Sequence, residues 1–226
     1  MGVEKMALLK NPAVEINGGE KTRVHMDDPL AVSKIAQDLV GRLHKLGINQ
    51  NSQVVILCIG TDRSTGDALG PLVGDRLAGQ APAGVAVYGT LENPVHATNL
   101  AQVLEEVRQT YHRPLVIAVD ACLGRLENVG CVSIGDGPLN PGAGVNKNLP
   151  PVGDLHITGI VNIGGFMEYV VLQNTRLHVV VRMAGLIAAA ILHALSQLLE
   201  WEQYGAVVPA GSSLALSQAA SGLAHS

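Results

Sequence analysis

The sequence is poor in aromatic and charged side chains, which limits what the protein can bind. Its 226 residues include one Phe, one Trp and four Tyr, and 15% are charged, with a net charge of −4. Nucleic-acid binding needs a basic surface and stacking side chains, so we expect no nucleic-acid partner. A hydrophobic content of 47% excludes a mainly disordered chain and predicts an aliphatic core.

Paired cysteines and long apolar runs are also scarce. Cys58, Cys122 and Cys131 are odd in number and contain no CxxC pair, which argues against a disulfide scaffold or a structural zinc site. The first residues contain no secretory apolar run, and the apolar stretch 183–199 is shorter than a membrane span of roughly 20 residues. We therefore expect a cytoplasmic protein without a membrane partner, in which this stretch is a buried helix.

Strand and helix patterns alternate along the chain. Continuous apolar or β-branched runs predict strands over 54–59, 85–88, 115–119, 129–134 and 177–181. Helical spacing of apolar residues predicts helices over 30–46, 69–77, 95–111, 165–172 and 183–201. The strand at 129–134 is a candidate hairpin partner of its predecessor. This alternation predicts an α/β fold, a three-layer α/β/α sandwich with a mostly parallel sheet.

The predicted organisation is a single domain between two loose ends. Residues 1–26 lack sustained periodicity and are interpreted as a flexible arm, residues 27–203 as the α/β domain, and residues 204–226 as a flexible tail. Residues 135–153 hold five Gly and four Pro. Loops of that length are commonly functional, and a lid over the site is one candidate role.

Two aspartates occupy positions where open α/β sheets bind ligands. Asp67 lies in the loop after the 54–59 strand, and Asp120 ends the 115–119 strand. A flavodoxin-like strand order would make these strands neighbours and bring the two carboxyl groups together at the carboxyl edge of the sheet. Two such groups in a partly dry cleft raise one pKa, share a proton and can activate water. Asp62, in the same loop as Asp67, is a third candidate.

Other interpretations of these residues stay open. A carboxylate before a helix can act only as a cap, as Asp67 would, and Asp120 can bind loop amides alone. His156 is either a structural histidine or, with the three aspartates, a ligand of a divalent metal. Cys122 is either a nucleophile or a small buried side chain.

No phosphate-binding loop is present, so we expect no nucleotide and no cofactor. The loop Gly60-Thr61-Asp62-Arg63-Ser64-Thr65-Gly66 matches neither GxxxxGK[ST] nor GxGxxG.

The chain resembles the YyaC-like sporulation proteins over roughly residues 50–200. The resemblance lies in the segment IGTDRSTGDALGP at 59–71 and in the segment DACLG at 120–124. That family is similar to the germination protease of spore-forming bacteria and, distantly, to the hydrogenase maturation endopeptidases. The resemblance implies a phosphorylase/hydrolase-like fold and a peptidase site in which the two motif aspartates, Asp67 and Asp120 here, are catalytic.

Two departures from these proteases keep alternatives open. The maturation endopeptidases carry a metal-binding Glu directly after the first aspartate, where this chain has Ala68, and no long pro-segment is evident. Our leading hypothesis is a sporulation-associated endopeptidase in which Asp67 and Asp120 activate water, with Asp62 and His156 binding the substrate. The expected partner is a protein or peptide, with the small acid-soluble spore proteins as candidates in the spore or forespore.

The alternatives are a non-catalytic sporulation protein that binds a regulatory partner, and a metal-dependent hydrolase. The high aliphatic content also makes a homo-oligomer a candidate state.

Overall fold

The computed structural model describes residues 14–17, 21–49, 51–142 and 149–205. The strands are β1 (Val14–Asn17), β2 (Lys21–His25), β3 (Val54–Cys58), β4 (Val85–Tyr88), β5 (Leu115–Gly124), β6 (Cys131–Asp136) and β7 (Leu155–Ile163). The helices are α1 (Ala31–Lys45), α2 (Leu69–Leu77), α3 (Leu100–Thr110), α4 (Glu168–Gln173) and α5 (Leu177–Gly205).

The described strands form one seven-stranded sheet in the order β1-β2-β6-β7-β5-β3-β4. The strands β7, β5, β3 and β4 are mutually parallel, whereas β6, β2 and β1 continue the sheet by antiparallel pairing. Since two successive antiparallel steps restore the direction, β2 also runs with the parallel group. The predicted mostly parallel sheet is confirmed, and so is the adjacency of the strands that precede Asp67 and contain Asp120.

Helices cover both faces of the sheet, which confirms the three-layer sandwich. The helices α1, α2 and α5 pack against one face through a large aliphatic cluster that includes Leu39, Leu69 and Ile187. On the other face α3 packs through Leu100 against Leu57. The odd and even residues of β3 thus serve different clusters, because successive side chains of a strand point to opposite faces.

Several predicted elements are wrong. Residues 177–181 are the first turns of α5, because Val180, Met183, Ala184 and Ile187 recur at helical spacing and are all buried. The prediction missed β7, which lies between β5 and β6, so these two strands form no hairpin.

The predicted arm is wrong where β1 and β2 join the sheet, since β2 pairs with β6. Residues 1–13 and 18–20 lie outside the described part. At the other end, α5 continues to Gly205 and the remaining residues of the predicted tail lie outside the described part. The domain boundaries 27–203 stay a prediction.

The long loop is also partly core. Its described parts form an antiparallel bridge between Leu139 and Val152, and both side chains are buried in the α3 cluster. A mobile lid therefore cannot include these two residues, and residues 143–148 lie outside the described part.

Among the residues that the structure describes, one helix is long and apolar enough to span a membrane by length and composition alone. This segment, Leu177–Leu198 of α5, has half of its apolar window buried inside the protein. Gly159 of β7 allows this close packing, since a Cβ there would lie 2.3 Å from Met183 Sδ and 2.4 Å from Leu69 Cδ2. The predicted buried helix at 183–199 is confirmed as part of α5.

Candidate functional site

The strand order reverses between β3 and β5. From β3 the chain crosses through α2 to β4 on one side, and from β4 it crosses through α3 to β5 on the other side. The two connections leave a crevice at the carboxyl ends of β3 and β5, which is the usual ligand site of open α/β sheets. The loop that contains Asp67 leaves β3 here, and Asp120 lies at the same level on β5.

Glycines hold the Asp67 loop tightly against the end of β3. Gly60 has φ +152°, and a Cβ at this position would lie 2.0 Å from the carbonyl oxygen of Asp67. The same carbonyl accepts a hydrogen bond from the Thr61 N–H at 3.1 Å. A Cβ on Gly70 would lie 2.0 Å from the Ile59 carbonyl oxygen, so α2 starts in contact with β3. Ala68, not Asp67, occupies the N-cap position of α2.

Asp120 does not end its strand as the sequence predicts, because β5 continues to Gly124, but it lies where β5 leaves the core. Its neighbour Val119 is fully buried and accepts a hydrogen bond from the Ile59 N–H at 2.7 Å. Asp120 itself is half-buried and lies in register with Thr158 of β7. Its Oδ1 accepts a hydrogen bond from the Ala121 N–H at 2.8 Å.

The pKa of Asp120 is raised to about 8. Desolvation of its carboxyl group is the main cause, the Ala121 hydrogen bond opposes it, and the negative charge of Asp67 adds to the rise. The groups of the described chain that shift this pKa include no cation. The negative charge of Asp67 thus reaches the carboxyl group of Asp120, and burial favours the protonated form of that group.

The other two predicted site residues do not join this pair. Asp62 is exposed, and its carboxylate accepts a long, weak hydrogen bond of 3.5 Å from the neighbouring Thr61 hydroxyl. His156 is 6% exposed, lies in register with Ala118, two residues before the level of Asp120, and its Nδ1 is 2.9 Å from the Gly137 carbonyl oxygen. Their predicted substrate-binding roles stay predictions.

No metal centre forms from these residues. Groups of three His, Cys, Asp or Glu side chains that could hold a metal ion are absent from the part of the chain that the structure describes. Cys122, the candidate nucleophile, is half-buried and reduced. It follows Asp120 by two residues on the same strand, before a register shift at Cys122/Leu123.

Sequence reasoning missed two features near the pair. Ser64, in the Asp67 loop, is 5% exposed, and its Oγ has no hydrogen-bond partner among the described residues. The second feature is an open groove of about 490 Å³ that includes Asn162, Ile163, Phe166, Met167, Val170 and Val171 in its lining, hereafter the α4 groove. The adjacent apolar residues Phe166 and Met167 could have indicated the groove. They follow Gly164 and Gly165, however, and the segment is interpreted from its sequence as a turn before a helix.

Comparison with known proteins identified the family of this chain, a sequence relative and a similar solved structure. The family described as "Protein of unknown function (DUF1256)" matches residues 23–190. The protein named "Uncharacterized protein YyaC" of Bacillus subtilis (strain 168) is 51% identical over 183 residues, which make up 81% of this chain and 87% of that protein. The crystal structure of the NiFe hydrogenase maturation protease HycI from Thermococcus kodakarensis KOD1 superposes with a TM-score of 0.42 and 20% identity, covering 64% of this chain and 93% of that one.

Proposed function

We propose that this chain, which belongs to the DUF1256 family, is an endopeptidase-like hydrolase that uses Asp67 and Asp120. The observation that carries the proposal is the electrostatic coupling of these two carboxyl groups, one from the loop after β3 and one from β5 itself, at the point where strand order reverses. A carboxyl group with a pKa of about 8 beside a charged carboxylate matches the requirement of acid–base catalysis for one protonated and one ionised group.

The two aspartates divide the chemistry between them. Asp67 accepts a proton from a water molecule whose oxygen attacks the peptide carbonyl carbon. Asp120 donates its proton to the carbonyl oxygen, so the tetrahedral intermediate is a neutral diol. Collapse of this intermediate breaks the C–N bond, with the amine taking the proton from Asp67 and Asp120 recovering a proton from the diol.

Spore proteins are the substrates that the family resemblance favours. The germination protease, which the YyaC-like proteins resemble, degrades small acid-soluble spore proteins. We therefore propose a role in sporulation or germination, with these proteins as first candidates and the cytoplasm of the spore or forespore as the location.

The test compares three matched carboxylate variants. Purified wild type is incubated with small acid-soluble spore proteins, and products are identified by mass spectrometry. We expect Asp67→Asn and Asp120→Asn to lower the cleavage rate by about 10³-fold, whereas Glu105→Gln, on the exposed surface of α3, changes it less than about threefold.

Two results would contradict the proposal. Cleavage that survives both substitutions removes the pair from the mechanism. If neither wild type nor the Asp67→Asn/Asp120→Asn double variant cleaves, while both bind the same partner with equal affinity, the chain is a non-catalytic binding protein.

A further inference from the structure

The α4 groove presents apolar side chains to solvent beside the candidate site. Phe166 is 84% exposed and Met167 is 57% exposed, and Val170 in α4 is 40% exposed. Phe166 is the single phenylalanine of the chain, so the one phenylalanine ring of this protein lies on the surface and not in the core. Contiguous exposed apolar surface of this kind marks binding sites in folded proteins.

The backbone holds this surface in a strained shape. The backbone of Met167 adopts a left-handed conformation with φ 51° and ψ 45°, which is uncommon for residues other than Gly, Asn and Asp. Glu168 Oε1 accepts a hydrogen bond from the Gly165 N–H at 3.0 Å and holds the preceding turn. Strain of this type persists where the surrounding structure enforces it, and it is concentrated at functional positions.

The helix α4, which forms one wall of the groove, contacts the Asp67 loop. The Gly66 N–H, one residue before Asp67, donates a hydrogen bond to the Leu172 carbonyl oxygen of α4 at 2.8 Å. A Cβ on Gly66 would lie 2.7 Å from Leu172 Cδ2 and 3.1 Å from Thr175 Oγ1, so the loop and α4 are in direct contact. From β7, Asn162 Nδ2 donates to the same Thr175 hydroxyl at 3.2 Å. One set of contacts thus positions both the catalytic loop and the wall of the groove.

The spacing suits an extended peptide. Asp120 is in register with Thr158, and Leu123 with Asn162, where the groove begins. The separation of three to four strand residues corresponds to about 10 to 13 Å at roughly 3.3 Å per residue. A peptide with its scissile carbonyl at Asp120 reaches the groove with the residue three or four positions away.

We propose that the α4 groove is a substrate subsite that binds a large apolar side chain of the peptide, three to four residues from the scissile bond. This inference rests on the proposed hydrolytic function. The described lining residues carry no charge, and the nearby Glu168 is already bonded to the turn. A charged substrate side chain would be desolvated there without a counter-charge, whereas an apolar one gains the burial energy of its surface.

The experiment measures binding separately from cleavage. Twelve-residue peptides are selected from a random phage-displayed library on the immobilised, catalytically disabled Asp120→Asn protein. The selected peptides are synthesised with fluorescein, and their affinity is measured by fluorescence anisotropy. We expect a shared large apolar residue in the selected sequences, and at least tenfold weaker binding when that residue is replaced by Asp.

A matched pair of surface variants locates the binding site. Val170→Asp, in the Asp120→Asn background, places a charge in the groove and is expected to weaken binding at least tenfold. Leu46→Asp places the same charge on an equally apolar, 48% exposed position that follows α1, and is expected to leave binding unchanged. Circular dichroism checks that both variants fold.

The outcomes separate the two proposals. Equal binding by the Val170→Asp and Leu46→Asp proteins, selection without apolar preference, or no selected peptide overturns the groove assignment, even if the wild type cleaves. Weaker binding by the Val170→Asp protein alone supports the groove assignment, even if no peptide is cleaved by the wild type, in which case hydrolysis fails and the groove is a peptide-binding site.

Discussion

Two pairs of aspartates lie at opposite edges of the same sheet, and they differ in how their charges are compensated. Asp38 of α1 and Asp136 at the end of β6 both contact Arg42, with Arg42 Nε 2.8 Å from Asp38 Oδ2 and Arg42 Nη1 2.5 Å from Asp136 Oδ1. Asp136 is in register with Leu155, where β7 begins, so this pair lies at the amino edge of the parallel strands. Asp67 and Asp120 lie at the carboxyl edge.

Arg42 gathers the first pair into a compensated network. The residue is 6% exposed. Burial acts to lower the pKa of its guanidinium group, but the hydrogen bonds and charges of Asp38 and Asp136 outweigh burial and raise it. Thr22 Oγ1 completes the network by donating to Asp38 Oδ1 at 3.0 Å. This cluster ties α1 to β2 and β6, and its role is structural.

The second pair shows the opposite balance. Asp67 and desolvation both act against ionisation of Asp120, and only the Ala121 N–H favours it. The fold thus maintains an arrangement that costs stability once Asp120 is ionised. The comparison teaches that residue type alone does not distinguish these pairs, whereas a desolvated carboxyl group beside a second carboxylate in a crevice marks the candidate for chemistry.

Removing the shared cation should have the largest effect on stability. Arg42→Met leaves Asp38 and Asp136 close together and without their counter-charge. Removing one partner of a buried ion pair costs several kcal/mol. Because the Asp136 side chain is 41% exposed, we expect a loss at the lower end of that range, about 3 kcal/mol in the free energy of unfolding. Urea denaturation at pH 7 measures the change.

Arg108→Met is the matched control for this substitution. Arg108 is 72% exposed and lies 3.8 Å from Glu105, and exposed pairs of this kind contribute less than about 1 kcal/mol. If the two substitutions destabilise the protein equally, the Arg42 network does not stabilise the fold more than an exposed ion pair does, and the comparison fails.

The carboxyl edge was predictable because its signals are local. The strand β3 and the first half of β5 are apolar on both faces, which is typical of interior parallel strands, and they lead into a polar loop and into Asp120. Neighbouring parallel strands end at the same edge, so the meeting of Asp67 with Asp120 followed from the strand order alone.

The amino edge was not predictable, because its contacts are long-range. Arg42 and Asp136 are separated by 94 positions, and no local pattern connects them. The strand β7 was missed since Gly159 and His156 interrupt its apolar run, although Gly159 is what lets Met183 and Leu69 pack against it. Without β7, His156 was a candidate metal ligand just after the long loop, whereas its place in β7 fixes it beside Gly137.

The pH dependence of stability tests the pair Asp67 and Asp120, and the expected change in the free energy of unfolding is smaller than that of Arg42→Met. The pKa of Asp120 is about 8 in the folded protein, against 3.8 as the ordinary value. Between these values the folded state keeps a proton that the unfolded chain releases, so the free energy of unfolding falls as pH rises towards 8. Asp120→Asn lacks this proton and should gain on the order of 2 kcal/mol over wild type between pH 5 and pH 9, after allowance for solvent screening of the half-buried residue.

Urea denaturation of wild type, Asp120→Asn and Asp62→Asn at the two pH values makes the measurement. Asp62→Asn is the control, because this carboxylate is exposed and its curve should run parallel to that of wild type. Parallel curves for wild type and Asp120→Asn would mean that the carboxyl group is not desolvated beside Asp67, and the second half of the comparison would be lost.

The smallest expected change in stability is that of a Ser64 substitution. It tests whether the carboxyl edge contains an unsatisfied polar group. The Ser64 Oγ is the one buried side-chain oxygen or nitrogen without a hydrogen-bond partner among the described residues, whereas Thr22 at the amino edge is bonded to Asp38. An unsatisfied buried hydroxyl destabilises the folded state, so Ser64→Ala should raise the free energy of unfolding by about 1 kcal/mol, while Thr22→Ala should lower it by a similar amount. Thermal denaturation of the two variants compares them directly. A loss of stability in the Ser64→Ala protein as large as in the Thr22→Ala protein would show that Ser64 is bonded in solution, and the contrast between the two edges would then rest on the raised pKa of Asp120 alone.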